Sequence, residues 1–221
     1  MPSTFRLAAL SLVGLFLGTA AWVCAAEPPP ITVHNVWVAG MRPTSIVQST
    51  RLRQTTPFGE PLAAVFAQAE TQSGGTTLDQ VLRTRNSIGI YRFEPTRALW
   101  MPLWERVTGE LGIDFVEGYD VLDVNDDGND DVCVRVRYYG PSRALDFSVK
   151  TIEPDGVHDL FELRSLYQGK VTASAGRIFV SEGAPGHAAE QQVYQWDLAT
   201  HAFQKVIQKA DHDRNDGKQP H

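Results

Sequence analysis

From Ser87 to Gln208 the chain is cut into short runs in which apolar and polar residues alternate, separated by turn residues. Alternation at period two puts successive side chains on opposite faces of an extended chain, so these runs predict strands. They are SIGIYRFEP, FVEGYDVLDV, DVCVRVRYYG, ALDFSVKTIEP, VHDLFEL, GKVTASAGRIFVSEG, QQVYQWD and HAFQKVIQ. In DVCVRVRYYG, Val132, Val134, Val136 and Tyr138 fall on one face, and Cys133, Arg135, Arg137 and Tyr139 on the other. The valines are expected inward and the arginines on a solvated face. Cys133 reads as a bystander there, since no partner histidine is evident.

The N-terminal half reads differently. ITVHNVWVAG, from Ile31 to Gly40, has the β-branched and aromatic content of a strand. Between Pro61 and Glu70, Leu62, Val65, Phe66 and Ala69 recur at helical spacing, with Pro61 suited to a first turn and Gly74-Gly75 beyond. Thr77 to Gln80 has the form of a capping box, followed by Val81 and Leu82. The expected fold is mainly β, antiparallel hairpins or a meander, with two short N-terminal helices.

YRFEPTRALW (91–100) and YQWDLATHAF (194–203) share an aromatic, any, aromatic, acid order and a second aromatic nine residues after the tyrosine. IEPDG (152–156) is a weaker copy. Such an echo suits either a repeated hairpin, as in propeller blades, or hairpins with similar polar turns.

Composition narrows the setting. Arg6 precedes an uncharged run from Leu7 to Ala26 that ends in small residues, and EPPP follows. This order predicts a signal peptide over 1–26, with a retained membrane anchor as the alternative. Ala21-Trp22-Val23 is a poor lipobox for Cys24. Cleavage would take away one of the chain's two cysteines and leave Cys133 without a disulfide partner. The remaining residues, 27–208, suit a single β-rich domain, followed by a polar tail over 209–221 that is expected to be disordered. The net charge of −6 argues against nucleic acid as a partner, and no stable membrane insertion is expected after cleavage. The expected location is periplasmic or secreted.

DVNDDGNDD, Asp123 to Asp131, places five aspartates in nine residues. Asp123, Asn125 and Asp127 stand two apart, Gly128 permits a sharp bend, and Asp131 follows three residues later. Oxygens at this spacing can turn toward one centre, and Ca2+ is a hard cation that takes about 6–8 oxygen ligands. The candidate ligands are the side chains of Asp123, Asn125, Asp127 and Asp131 and the backbone carbonyl of Asn129. Asp126 and Asp130 fall between ligand positions and are expected to face solvent. An EF-hand would need an acid at its twelfth position, but Val134 stands there inside a strand. The tail piece DHDRNDG imitates the loop with its glycine one place late.

GYDVLDVNDDGNDDVCVRV resembles the FG-GAP or VCBS-type repeat, the calcium-loop repeat of integrin alpha-chain propellers. The pattern D-x-[DN]-x-D-G-x-x-D is matched at Asp123, Asn125, Asp127, Gly128 and Asp131. The segment IYRFEPTRALWMPLWERV resembles the hairpin that precedes such a loop. Only one full loop is present, and Asp126 replaces the commoner glycine. The resemblance implies a calcium-stabilised, blade-like β protein, and the expected function is an interaction module that binds a protein or glycan. Arg135, Arg137, Trp100 and Trp104 could serve binding, although core positions suit the tryptophans better. The other readings are an envelope hydrolase and a purely structural envelope protein. GxSxG, HExxH and a paired Cys-His signature are absent, and His158 in DGVHDLFE reads as a strand-end residue.

Overall fold

The computed structural model describes residues 27–54, 61–69, 84–109, 113–183 and 190–206. The expected signal segment, the second helix near Thr77, the polar tail and its DHDRNDG piece lie outside the described residues. Among those described, every regular element is a strand.

Three four-stranded antiparallel sheets follow one another along the chain. The first contains β1 (Ser45–Arg51), β2 (Leu62–Ala69), β3 (Arg85–Glu94) and β4 (Leu99–Thr108). The second contains β5 (Asp114–Leu122), β6 (Asp131–Tyr138), β7 (Leu145–Glu153) and β8 (Gly156–Leu166). The third contains β9 (Lys170–Ser174), β10 (Arg177–Glu182), β11 (Glu190–Asp197) and β12 (Ala202–Val206). Each strand pairs with its neighbour in sequence, so each sheet is a meander.

The strands expected from Ser87 onward are present, and GKVTASAGRIFVSEG divides at Gly176 into β9 and β10. Two N-terminal expectations are corrected. Residues 62–69 are not helical; they form β2. Leu62, Ala64 and Phe66 enter one core while Ala63, Val65 and Ala67 enter another. A strand buried on both faces has a continuous apolar run, and periodicity alone does not distinguish such a run from a helix. ITVHNVWVAG is not a strand but a turn with one bridge, Val36 to Trp100. The Asn35 side chain accepts from the Thr32 amide at 2.7 Å, a local bond that competes with a ladder.

The sheets stack through their faces. Ile88 and Ile90 of the first meet Val116, Val132, Val134 and Val136 of the second, as the valine pattern predicts. The Tyr119 hydroxyl donates across this interface to the Ala64 carbonyl at 3.0 Å. The opposite face of the second sheet buries Cys133, Leu145, Phe147 and Val149 against Val171, Ile178 and Val180 of the third. Burying one such aliphatic side chain contributes about 1.5–3 kcal/mol. The outer face of the first sheet is covered by Val36 and Val38, and Trp100 lies fully buried there. Trp104 packs against the first core.

The arginine face of β6 is therefore not a solvated face. Cys133 is in the second core, and Arg135 and Arg137, both half-buried, pair with Asp120 and Glu117. Burial pushes the Cys133 thiol far above its ordinary range, which suits a packing residue.

The echoed segments occupy equivalent places. Each forms the hairpin between the third and fourth strands of its sheet, with Glu94 paired to Leu99 and Asp197 to Ala202. Ala98 and His201 both close their turns with positive φ, 52° and 50°. Phe93 and Trp100 pair across the first hairpin at 5.3 Å, and Trp196 and Phe203 across the other at 5.1 Å. IEPDG holds the same place in the second sheet but turns more tightly, with Glu153 paired to Gly156.

Candidate metal centre

The loop from Asp123 to Asp131 joins β5 to β6 in the middle sheet. Its short polar side chains fold it by binding its own amides. The Asp123 carboxylate accepts from the amides of Asp127 at 3.1 Å and Gly128 at 2.8 Å. Asn125 Oδ1 accepts from the Asp127 amide at 3.3 Å, and Asp127 Oδ1 from the Asn129 amide at 2.7 Å. The Asn125 amide donates to Asp127 Oδ2 at 2.9 Å. Asp126 and Gly128 supply the bends with φ of 61° and 88°.

The loop is held at both sides by the other sheets. Val124 is fully buried in the second core, and its carbonyl accepts from Gly176, in the β9–β10 turn, at 2.7 Å. On the other side Asp130 Oδ2 accepts from the Arg53 amide at 2.6 Å, and the Arg53 carbonyl accepts from the Asp130 amide at 2.9 Å. Asp126 is exposed as expected, but Asp130 does not face solvent freely; it ties the loop to the first sheet. All three sheets thus meet at these nine residues.

Asp131 carries the unusual feature. It has no exposed surface, and its Oδ2 accepts from the Val124 amide at 2.9 Å. Its Oδ1 is buried with no hydrogen-bond partner. Burial pushes this carboxyl up to about 6; the Val124 amide opposes the shift, as does the nearby Thr151 hydroxyl, which makes no hydrogen bond of normal geometry to it, and the charges of Asp127 and Asp123 add to it. Glu105 shows a carboxylate fully answered: it accepts from Ser87 and Tyr91 hydroxyls at 2.7 Å each and from the Ala39 amide at 2.9 Å. A buried carboxylate with a free lone pair beside further carboxylates favours a bound cation.

The loop brings Asp123, Asn125, Asp127 and Asp131 into one turn. Yet Asp123, Asp127 and Asp131 do not form a group whose ligand oxygens all lie within 4.8 Å of one another. Among the described residues Glu153, Asp155 and His158 do meet that limit, and this triad could hold a metal ion. It sits at the exposed β7–β8 turn. His158 Nε2 lies 2.8 Å from Asp155 Oδ1, and this bond raises the histidine and lowers the aspartate from their ordinary values. His158 is a strand-end residue as read, but its closeness to Glu153 and Asp155 depends on the two-residue turn between β7 and β8.

No protein-family model matches the chain, and no curated protein matches it.

Proposed function

We propose that this protein is an exported, calcium-stabilised binding module built of blade-like meanders, with a structural Ca2+ in the loop from Asp123 to Asp131. The side chains of Asp123, Asn125, Asp127 and Asp131 and the carbonyl of Asn129 would hold the ion. The carrying observation is the buried Asp131 Oδ1 that no donor answers. The blade reading is supported by three successive four-stranded meanders with matching hairpins in the first and third.

The position of the loop defines what the ion contributes. Val124 and Asp130 tie it to the third and first sheets, so neutralising its charge steadies the junction of all three. Extracellular calcium modules bind with dissociation constants of about 0.1–1 mM. At the tight end, tenfold excess calcium stabilises a fold by roughly 1.4 kcal/mol. That is a useful share of a total of about 5–15 kcal/mol.

Calorimetric titration with calcium, joined to melting curves in calcium and in chelator, tests the proposal. One saturable site and a melting rise are expected, both lost in Asp127→Ala/Asp131→Ala and both kept in Asp155→Ala/His158→Ala. The reverse pattern would move the metal to the β7–β8 turn. No binding in any of the three proteins would refute a metal role.

A further inference from the structure

Hairpins of a meander alternate between its two ends, so the aspartate loop and the β7–β8 turn share one end of the middle sheet. The β6–β7 and β8–β9 connections share the other. That second end holds a cavity of about 440 Å3 lined by Glu117, Arg137, Arg143, Gln168, Gly169 and Lys170. Three cations face one carboxylate there, in a chain whose net charge is −6.

Arg137 is occupied in holding the cavity together. Its Nε and Nη2 donate to the two Glu117 oxygens at 3.1 and 2.9 Å. Its Nη1 donates to the Arg143 carbonyl at 2.9 Å, and Nη2 also to the Gly169 carbonyl at 3.1 Å. The rigid guanidinium fork thereby neutralises Glu117 and fastens the β6–β7 loop to the β8–β9 connection. The Gln168 amide adds a bond to the Ser142 carbonyl at 3.0 Å. Arg143 and Gln168 are held with left-handed φ of 41° and 46°, a conformation that non-glycine residues rarely adopt.

Arg143 and Lys170 remain. Both are exposed, and among the described residues neither side-chain cation has an acidic partner. Lys170 also lines a second cavity of about 340 Å3 on the outer face of the third sheet. There Phe179, 41% exposed, stands between its cross-strand partners Thr172 and Val193. On the same face Ser181 and Gln191, paired in register, add a hydroxyl and an amide to the lining. An exposed aromatic ring offers an apolar face to a pyranose, amides and hydroxyls bond its hydroxyls, and paired cations take an acidic substituent.

We infer that Arg143 and Lys170 bind the acidic group of an anionic saccharide whose neighbouring ring lies on Phe179. This names a ligand class for the binding module proposed above and rests on that reading. The carboxylate of a uronic acid and a sulfate ester share the required chemistry.

The test is calorimetric titration of the protein, in calcium buffer, with oligogalacturonate, heparin-derived oligosaccharide, neutral cellohexaose and sodium sulfate. Saturable binding of at least one acidic oligosaccharide is expected, and none of cellohexaose; the preferred acid separates uronate from sulfate recognition. Arg143→Gln/Lys170→Gln should weaken binding by about tenfold or more, and Phe179→Ala by about threefold. Both variants leave the Arg137 fork intact, and unchanged circular dichroism checks their fold. Sulfate binding as tight as the oligosaccharide and untouched by Phe179→Ala would overturn the saccharide assignment in favour of a plain anion pocket. Absence of binding, or binding indifferent to the double variant, would overturn the site itself. Melting curves on the same samples separate the two proposals: a calcium-dependent rise without saccharide binding defeats this inference alone. Saccharide binding without that rise defeats the calcium reading alone.

Discussion

The loop at Asp123–Asp131 and the turn at Glu153–His158 stand at the same end of the middle sheet, and both gather acidic side chains. They differ in burial. In the turn, His158 and Asp155 answer each other in open water, and their charges need no further partner. In the loop, the terminal aspartate is sealed inside, one of its oxygens has no donor, and burial holds its carboxyl near 6. The triad has the tighter spacing of ligand atoms, and the loop has the stronger electrostatic demand. Solvent screens the first and leaves the second unanswered, so the sites should respond differently to protons, calcium and mutation.

The largest difference should appear with pH. Between about 4 and about 6 the folded protein holds a proton on Asp131 that the unfolded chain has released. The stabilisation that this proton brings is complete below about 4 and is lost as pH rises through about 6. In chelator, urea unfolding should show this group costing about 3 kcal/mol between pH 4 and pH 7.5. Asp131→Asn should remove that slope, and calcium should offset the loss in the parent protein only. An equal slope in Asp131→Asn would show that the carboxyl is not the source.

Next in size are the ties of the loop to its neighbours. Asp130→Ala removes the acceptor of the Arg53 amide and should cost about 1.5–3 kcal/mol while keeping the calcium-dependent melting rise. Gly176 has φ of 70° with open space where a Cβ would stand, so Gly176→Ala meets strain without a clash. Its expected cost is about 1–2 kcal/mol by urea unfolding. A neutral result for both would mean that the neighbouring sheets do not depend on the loop.

The smallest effect belongs to the turn. Asp155→Asn/His158→Gln should move the melting point by no more than about 2 °C at neutral pH. The raised histidine contributes stability that is complete below its ordinary value and lost as pH rises through its folded value. The lowered aspartate contributes stability that is present above its ordinary value and lost as pH falls through its folded one. A large change, or a lost calcium response, would reverse the ranking of the two sites.

Much of the β architecture was legible because its signals are local. The alternation in DVCVRVRYYG placed the three valines in the first core, and the echoed aromatics marked two equivalent hairpins. The spacing of Asp123, Asn125, Asp127 and Gly128 encoded a self-bonded turn, because those side chains reach amides only a few residues away. Helical spacing in residues 62–69 was misleading because both faces of β2 are covered, a fact contributed by other segments.

The amino-acid sequence by itself determined the strands with alternating faces, the tight polar loop and the acidic balance, since each follows from neighbours within one turn or strand. Tertiary structure alone decided that Asp131 is sealed from water and that Asp130 meets Arg53, 77 residues away. It also assembled the basic end from Glu117, Arg137, Arg143 and Lys170. Burial and charge pairing depend on which distant segments stack together, and stacking is set by the whole set of sheet faces rather than by any one stretch of chain.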